Sequence, residues 1–154
     1  MLRMDSTRPV DCGKTLSIMT DAVPQFVGDL IKDDPRDTAW LRTDELITDV
    51  LAKLEFEDVG ALVVSDDGSK IKGIISERDV VRGMRYYGGD VFNLHVAVLM
   101  QDNVITCEVG HTVAHAMELM HNHHIRHLPV TDKGKLVGLL SLRDVLPRMF
   151  QGYN

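Results

Sequence analysis

One pattern runs through this chain twice, and that repeat limits its possible folds more than any other feature. The stretch LITDVLAKLEFEDVGALVVSDDGSKIKGIISERDVVRGM returns as TVAHAMELMHNHHIRHLPVTDKGKLVGLLSLRDVLPRM about 66 residues later, slipping by one residue at the turn. Gly73, Ser76, Arg78, Asp79, Val80 and Met84 recur as Gly138, Ser141, Arg143, Asp144, Val145 and Met149. Hydrophobic spacing repeats with the letters. Ile47, Val50, Leu51 and Leu54 stand at the offsets of one face of an amphipathic helix, and Val113, Ala116, Met117 and Met120 hold the same offsets. A repeat of this kind is one supersecondary unit that must bury its apolar face against a neighbouring copy.

Each predicted helix leads into a short apolar run, GALVVS or RHLPVT. A polar turn with glycine follows, DDGSK or DKGK, then a second apolar run, IKGIIS or LVGLLS. Two β-rich runs joined this way predict a hairpin. Ser-x-Arg-Asp then opens a further short helix, and TAWLR and NVITCE are candidate strands upstream. The expected fold class is α+β, with two pseudo-symmetric β-α-β-β-α units packed sheet to sheet. One unit of about 55 residues would bury only a marginal core, so the two are expected to form one globule. The expected division is an N-terminal tail at 1–24, a first unit at 25–86, a linker at 87–95 and a second unit at 96–151, with Gly88–Gly89 as the turn of the linker.

Composition narrows the class of function. No apolar run reaches the length of a membrane-spanning helix, and the first 25 residues lack the continuous apolar core of a secretory signal. A net charge of −6 argues against broad nucleic-acid binding, which depends on neutralising phosphates. Cys12 and Cys107 lie far apart at no metal spacing, as suits free thiols in a reducing cytoplasm. The expectation is a cytoplasmic protein that engages neither membrane nor nucleic acid. Any bound anion must be held by a local basic patch.

Ser76-Glu77-Arg78-Asp79 and Ser141-Leu142-Arg143-Asp144 sit where a strand turns into a helix. One reading is a capping box, in which serine caps the helix and the acid three residues on reaches back to it. Another uses the same geometry for a ligand. A helix N-terminus favours phosphate, and a serine hydroxyl and an arginine fork add donors for the same anion. Aspartate is ill suited to phosphate but well suited to accept hydrogen bonds from ribose hydroxyls. Donors for an anion beside a lone acceptor describe a nucleotide. Arg78, Arg82 and Arg85 follow helical spacing, either as part of a positive patch or as a solvated face.

The Gly-x-x-Ser-x-x-Asp pattern closing a β-α-β-β unit, twice in tandem, resembles the CBS domain, named after cystathionine β-synthase. The pair resembles the stand-alone two-domain proteins of that family, known as Bateman modules, and GIISERDVVRGM and MHNHHIRHLPV are particularly similar to that subgroup. The resemblance covers about Val27 to Phe150. It implies a regulatory module for an adenine nucleotide, AMP first, with ADP, ATP, NAD(H) or S-adenosylmethionine as alternatives. It implies action by a ligand-induced conformational shift on an unknown regulated protein, and a homodimer. Ser76, Asp79, Ser141 and Asp144 would contact phosphate and ribose, with Arg78 and Arg143 beside them. Arg126 and His127 match positions that reach phosphate in some relatives, whereas the first copy has Gly60 and Ala61 there. Leu41 and Thr106 would flank the adenine.

Two departures set the second copy apart: Leu142 replaces Glu77, and Pro147 stands where the first copy has Arg82. A proline inside the last helix is expected to kink or shorten it. Six of the seven histidines fall between His111 and His127. His111 and His115 are one helical turn apart, a spacing that can chelate zinc, but no H-E-x-x-H pattern or matching cysteine accompanies them. Metal sensing through these histidines and a ligand-free interaction scaffold are the rival readings. No nucleophile turn, P-loop or G-x-G-x-x-G pattern is present, so no enzymatic activity and no catalytic residue are expected.

Overall fold

The computed structural model describes residues 24–32 and 39–150. The expected tail up to residue 23, with Cys12, lies outside the described residues, as do 33–38 and 151–154. Two three-stranded sheets and their helices make an α+β protein. Helix α1 spans Val27–Lys32, strand β1 Trp40–Leu41, helix α2 Ile47–Phe56, strands β2 and β3 Ala61–Val64 and Gly73–Ser76, and helix α3 Glu77–Tyr87. A 3-10 turn at Gly88–Asn93 and helix α4 at Val96–Leu99 lead to β4 at Cys107–Glu108 and α5 at Val113–Asn122. Strands β5, His127–Asp132, and β6, Lys135–Ser141, and helix α6, Leu142–Phe150, close the second unit.

Each sheet has the same plan. The short upstream strand lies parallel to the first strand of the hairpin, and the hairpin strands are antiparallel. Both expected hairpins and both upstream strands are present. The second hairpin turns on Lys133 and Gly134, with φ of +51° and +78°, and left-handed conformation at both central residues is what a tight type I′ connection requires. The strands β2 and β5 are buried on both faces. Leu62 and Val64 enter the core beneath α2, while Ala61 and Val63 close the opposite face. Leu128 and Val130 do the same beneath α5, with Pro129 and Thr131 opposite.

The helical spacing is realised as burial. Ile47, Val50 and Leu54 of α2 and Val113, Ala116 and Met120 of α5 face the two cores. The two helices also end alike. Asp58 and His124 take φ of +50° and +53° just past the helix, a conformation more usual for glycine or asparagine. The chain then closes with Val59 N–H donating to Leu54 O in one unit and Ile125 N–H to Met120 O in the other.

Packing does not follow chain order. Helix α1 inserts Val27 and Leu30 into the core of the second unit, and its amides donate to the second unit, Val27 N to His111 O at 2.9 Å and Gly28 N to Val109 O at 2.9 Å. Val91 and Val96, around α4, join the core of the first unit, with Val96 N donating to Glu45 O at 2.8 Å and Ala97 N to Thr43 O at 3.2 Å. The units therefore exchange their leading segments, and neither core is complete without the other unit's stretch of chain. Helix α6 runs through Pro147, which lacks the amide that would bond one turn back, and is described as far as Phe150.

Candidate functional site

The two Ser-x-x-Asp turns lie in separate clefts between the units. One, of about 600 Å³, is lined by Ser76, Arg78, Asp79 and Arg82 on one side and by His123, His124 and Arg126 on the other. The second, of about 500 Å³, sets Ser141, Arg143 and Asp144 against Glu57, Val59 and Gly60. Both volumes are in the range of small-molecule sites. Each cleft thus combines the serine–aspartate turn of one unit with the end of the long helix of the other. Gly60, Ala61, Glu77, Arg126 and His127 form a wall common to both.

In the first unit the helix cap is an observed bond network. The backbone N–H of Ser76 donates to Asp79 Oδ2 at 2.8 Å and its hydroxyl donates to the same oxygen at 2.6 Å. Gln101 Nε2, just beyond α4, donates to Asp79 Oδ1 at 3.1 Å. Asp79 is buried, and these donors hold its carboxylate with Oδ1 accepting a single bond. A carboxylate oxygen has room for a second, so a ribose hydroxyl can share Oδ1 or replace Gln101. In the second unit Ser141 Oγ accepts from Arg143 N at 3.1 Å, the serine cap the sequence suggests, and Asp144 lines the cleft half-buried.

The arginines of the two turns differ. Arg143 Nη2 donates to Asp58 O at 3.1 Å and lies 3.5 Å from Asp58 Oδ2, an exposed pair across the units. Its counterpart Arg78 faces a cleft in which the position equivalent to Asp58 is His124, and it has no ion-pair partner among the described residues. Arg126 is exposed at the mouth of both clefts. His127 is half-buried between them, with its ring over Gly60, where an added Cβ would stand 3.2 Å from the imidazole. Burial lowers the pKa of His127 from the ordinary histidine value, opposed by the charges of Asp144 and Glu77 and reinforced by those of Arg126 and Arg143.

Leu41 and Thr106, expected near the adenine, line neither cleft. Leu41 is fully buried in the first core and Thr106 is exposed, whereas the adjoining Val104 and Ile105 do line the Ser76 cleft. The sequence assigns no role to Gln101 or Glu57 and offers His123 and His124 only as part of the metal-sensing alternative. The repeat alignment carried a signal for the last three, because Glu57 and Asp58 stand opposite His123 and His124 in it. Among the described residues no group of three or more His, Cys, Asp or Glu is placed to hold a metal ion. His111 and His115 instead meet edge to face at 4.8 Å, and His111 Nδ1 accepts from the amide of Glu108. No described helix is long and apolar enough to cross a membrane.

The sequence profile of the CBS domain matches this chain twice, over residues 27–86 and 95–150. The chain belongs to the CBS-domain family. Its fold is that of a CBS-domain containing protein from Agrobacterium tumefaciens, 35% identical, with a TM-score of 0.74 over 79% of this chain and 97% of that one. A CBS domain protein from Pyrobaculum aerophilum, solved in complex with AMP, is 26% identical, with a TM-score of 0.69 over 80% of this chain and 97% of that one. A mitochondrial CBS domain-containing protein of Arabidopsis thaliana is 33% identical over 70% of this chain. The chain spans about half of that plant relative, 54% of its length. The tandem CBS pair implied by the resemblance is what these likenesses show.

Proposed function

We propose that this CBS pair is a non-catalytic regulatory module that binds an adenine nucleotide, AMP in the first instance, in the clefts between its units. The observation that carries this reading is the pairing in each cleft of a serine–aspartate turn with polar groups of the opposite unit. The AMP complex of the Pyrobaculum relative supports it. Arg78, Arg126 and Ser141 are assigned to phosphate, and Ser76 joins them when its hydroxyl proton turns from Asp79 to the ligand. Asp79 and Asp144 are assigned to ribose, and Ile105 and Val137, which line the Ser76 and Ser141 clefts respectively, to the base. A ligand touching both units stabilises one relative arrangement of them, and a regulated partner reads that arrangement by population shift.

The reading includes a cytoplasmic location, in keeping with Cys107 as a buried free thiol. It also includes a homodimer built on the closing helices. Val81, Met84 and Leu146 are exposed there, while Met149 packs against the second core. Light scattering at tens of micromolar is expected to give twice the mass of the chain, and a monomer with and without AMP refutes the dimer. Native mass spectrometry of the chain purified from cells without added nucleotide tests the ligand. A co-purified mass of AMP or another adenine nucleotide is expected, and a bare chain that also ignores added AMP contradicts the reading.

A further inference from the structure

The two clefts share one geometry but differ in charge at equivalent positions. Where the Ser141 cleft has Glu57 from the end of α2, the Ser76 cleft has His123 from the end of α5. The fourth residue after Arg78 is Arg82, and its counterpart after Arg143 is Pro147. Three arginines of the Ser76 cleft face two acids, Glu77 and Asp79, and Asp79 is already engaged by Ser76 and Gln101. In the Ser141 cleft two arginines face three acids, Glu57, Glu77 and Asp144, and Arg143 is held by Asp58.

Resting on the nucleotide-binding reading above, we infer that the Ser76 cleft is built for the polyphosphate of a nucleoside di- or triphosphate. The Ser141 cleft takes a ligand with one phosphate or none. Arg78 and Arg82 lie one helical turn apart on α3, so their side chains run together along one face. Neither has an ion-pair partner among the described residues. An arginine fork binds phosphate oxygens in pairs, and two forks one turn apart suit successive phosphates. Arg126, His123 and His124 approach from the other unit, so a phosphate chain would be gripped on two sides. A monophosphate reaches only part of that set. In the Ser141 cleft each added phosphate meets Glu57 where the other cleft offers His123.

Calorimetric titration of the full chain in magnesium-free buffer with ATP, AMP and inorganic tripolyphosphate tests this. One site is expected to hold ATP on the order of tenfold or more above AMP, the gain of about one additional charge-assisted contact. Tripolyphosphate is expected to bind more weakly than ATP. Arg82→Gln and His123→Gln are each expected to reduce ATP affinity several-fold and to leave AMP nearly unchanged. Arg85→Gln, an exposed residue of the same helix outside both clefts, is expected to change neither. AMP binding with no gain for ATP, or equal losses of both in Arg82→Gln, overturns the inference and leaves the nucleotide reading standing. Tripolyphosphate binding as tightly as ATP overturns the assignment to a nucleotide. No binding of any nucleotide overturns both.

Discussion

The imidazole of His127 lies over the α-carbon of Gly60, near enough that a Cβ there would approach Cε1 and Nε2 to 3.2 Å. These residues belong to different units and form part of the wall common to both clefts. Glycine at position 60 is what lets the second unit's ring settle against the first. Gly60→Val is therefore expected to displace His127 and to cost about 1–3 kcal/mol, the usual range for overpacking a close contact. Because the wall is shared, AMP affinity is expected to fall in both clefts. Denaturant melts and calorimetry check the two effects separately. Unchanged AMP binding in a folded Gly60→Val protein would show that the wall does not shape the sites.

Asp79 separates capping from recognition. Its carboxylate accepts from Ser76 N, Ser76 Oγ and Gln101 Nε2, so it holds the start of α3 whatever else it does. Asp79→Ala is expected to lower stability by about 1–3 kcal/mol, because part-buried donors lose their acceptor. If Asp79 also receives a ribose hydroxyl, the same change removes the preference for AMP over deoxy-AMP. The ratio of the two affinities is the deciding quantity, since partial unfolding affects both ligands equally. A preserved ratio would confine Asp79 to the cap.

His127 gives the fold a pH dependence of definite sign. Burial lowers its pKa in the folded chain, so the unfolded chain binds the proton more readily. Its contribution is complete above the unfolded value, about 6.5. It is lost as pH falls from there toward the lowered folded value. Chemical denaturation across pH 5 to 8 is expected to show stability declining below about pH 6.5. His127→Gln, which does not titrate, is expected to flatten part of that decline. An identical decline in His127→Gln would assign the dependence to other groups.

The repeat made the fold legible because each element carried its own signal. The apolar offsets of Ile47 to Leu54 gave α2, and the Lys133–Gly134 turn marked a hairpin. The exchange of α1 and α4 was not legible. It rests on backbone bonds such as Val27 N to His111 O and Val96 N to Glu45 O, and on apolar residues such as Val27, Leu30 and Val96 whose spacing does not say which core receives them. For the same reason the recurring Ser76, Asp79, Ser141 and Asp144 stood out, while their cross-unit neighbours Glu57 and His123 did not. Gln101 has no signal in the sequence, because only the docking of α4 on the first unit brings it to Asp79. Val104 and Ile105 line the Ser76 cleft while Thr106 does not, because the chain leaves the cleft there to enter β4 at Cys107.

Nucleotide binding in the two clefts is tested most directly by titrating the isotopically labelled full chain with AMP and following its backbone amide resonances. Saturable shifts are expected at Gly60, Ala61, Ser76, Asp79, His127, Ser141 and Asp144, around the two clefts and their common wall. The amides of Val27 and Gly28, bonded to the second unit away from the clefts, are expected to move little. Shifts that do not saturate, or that gather around α1 while the serine–aspartate turns stay still, would contradict nucleotide binding in the clefts.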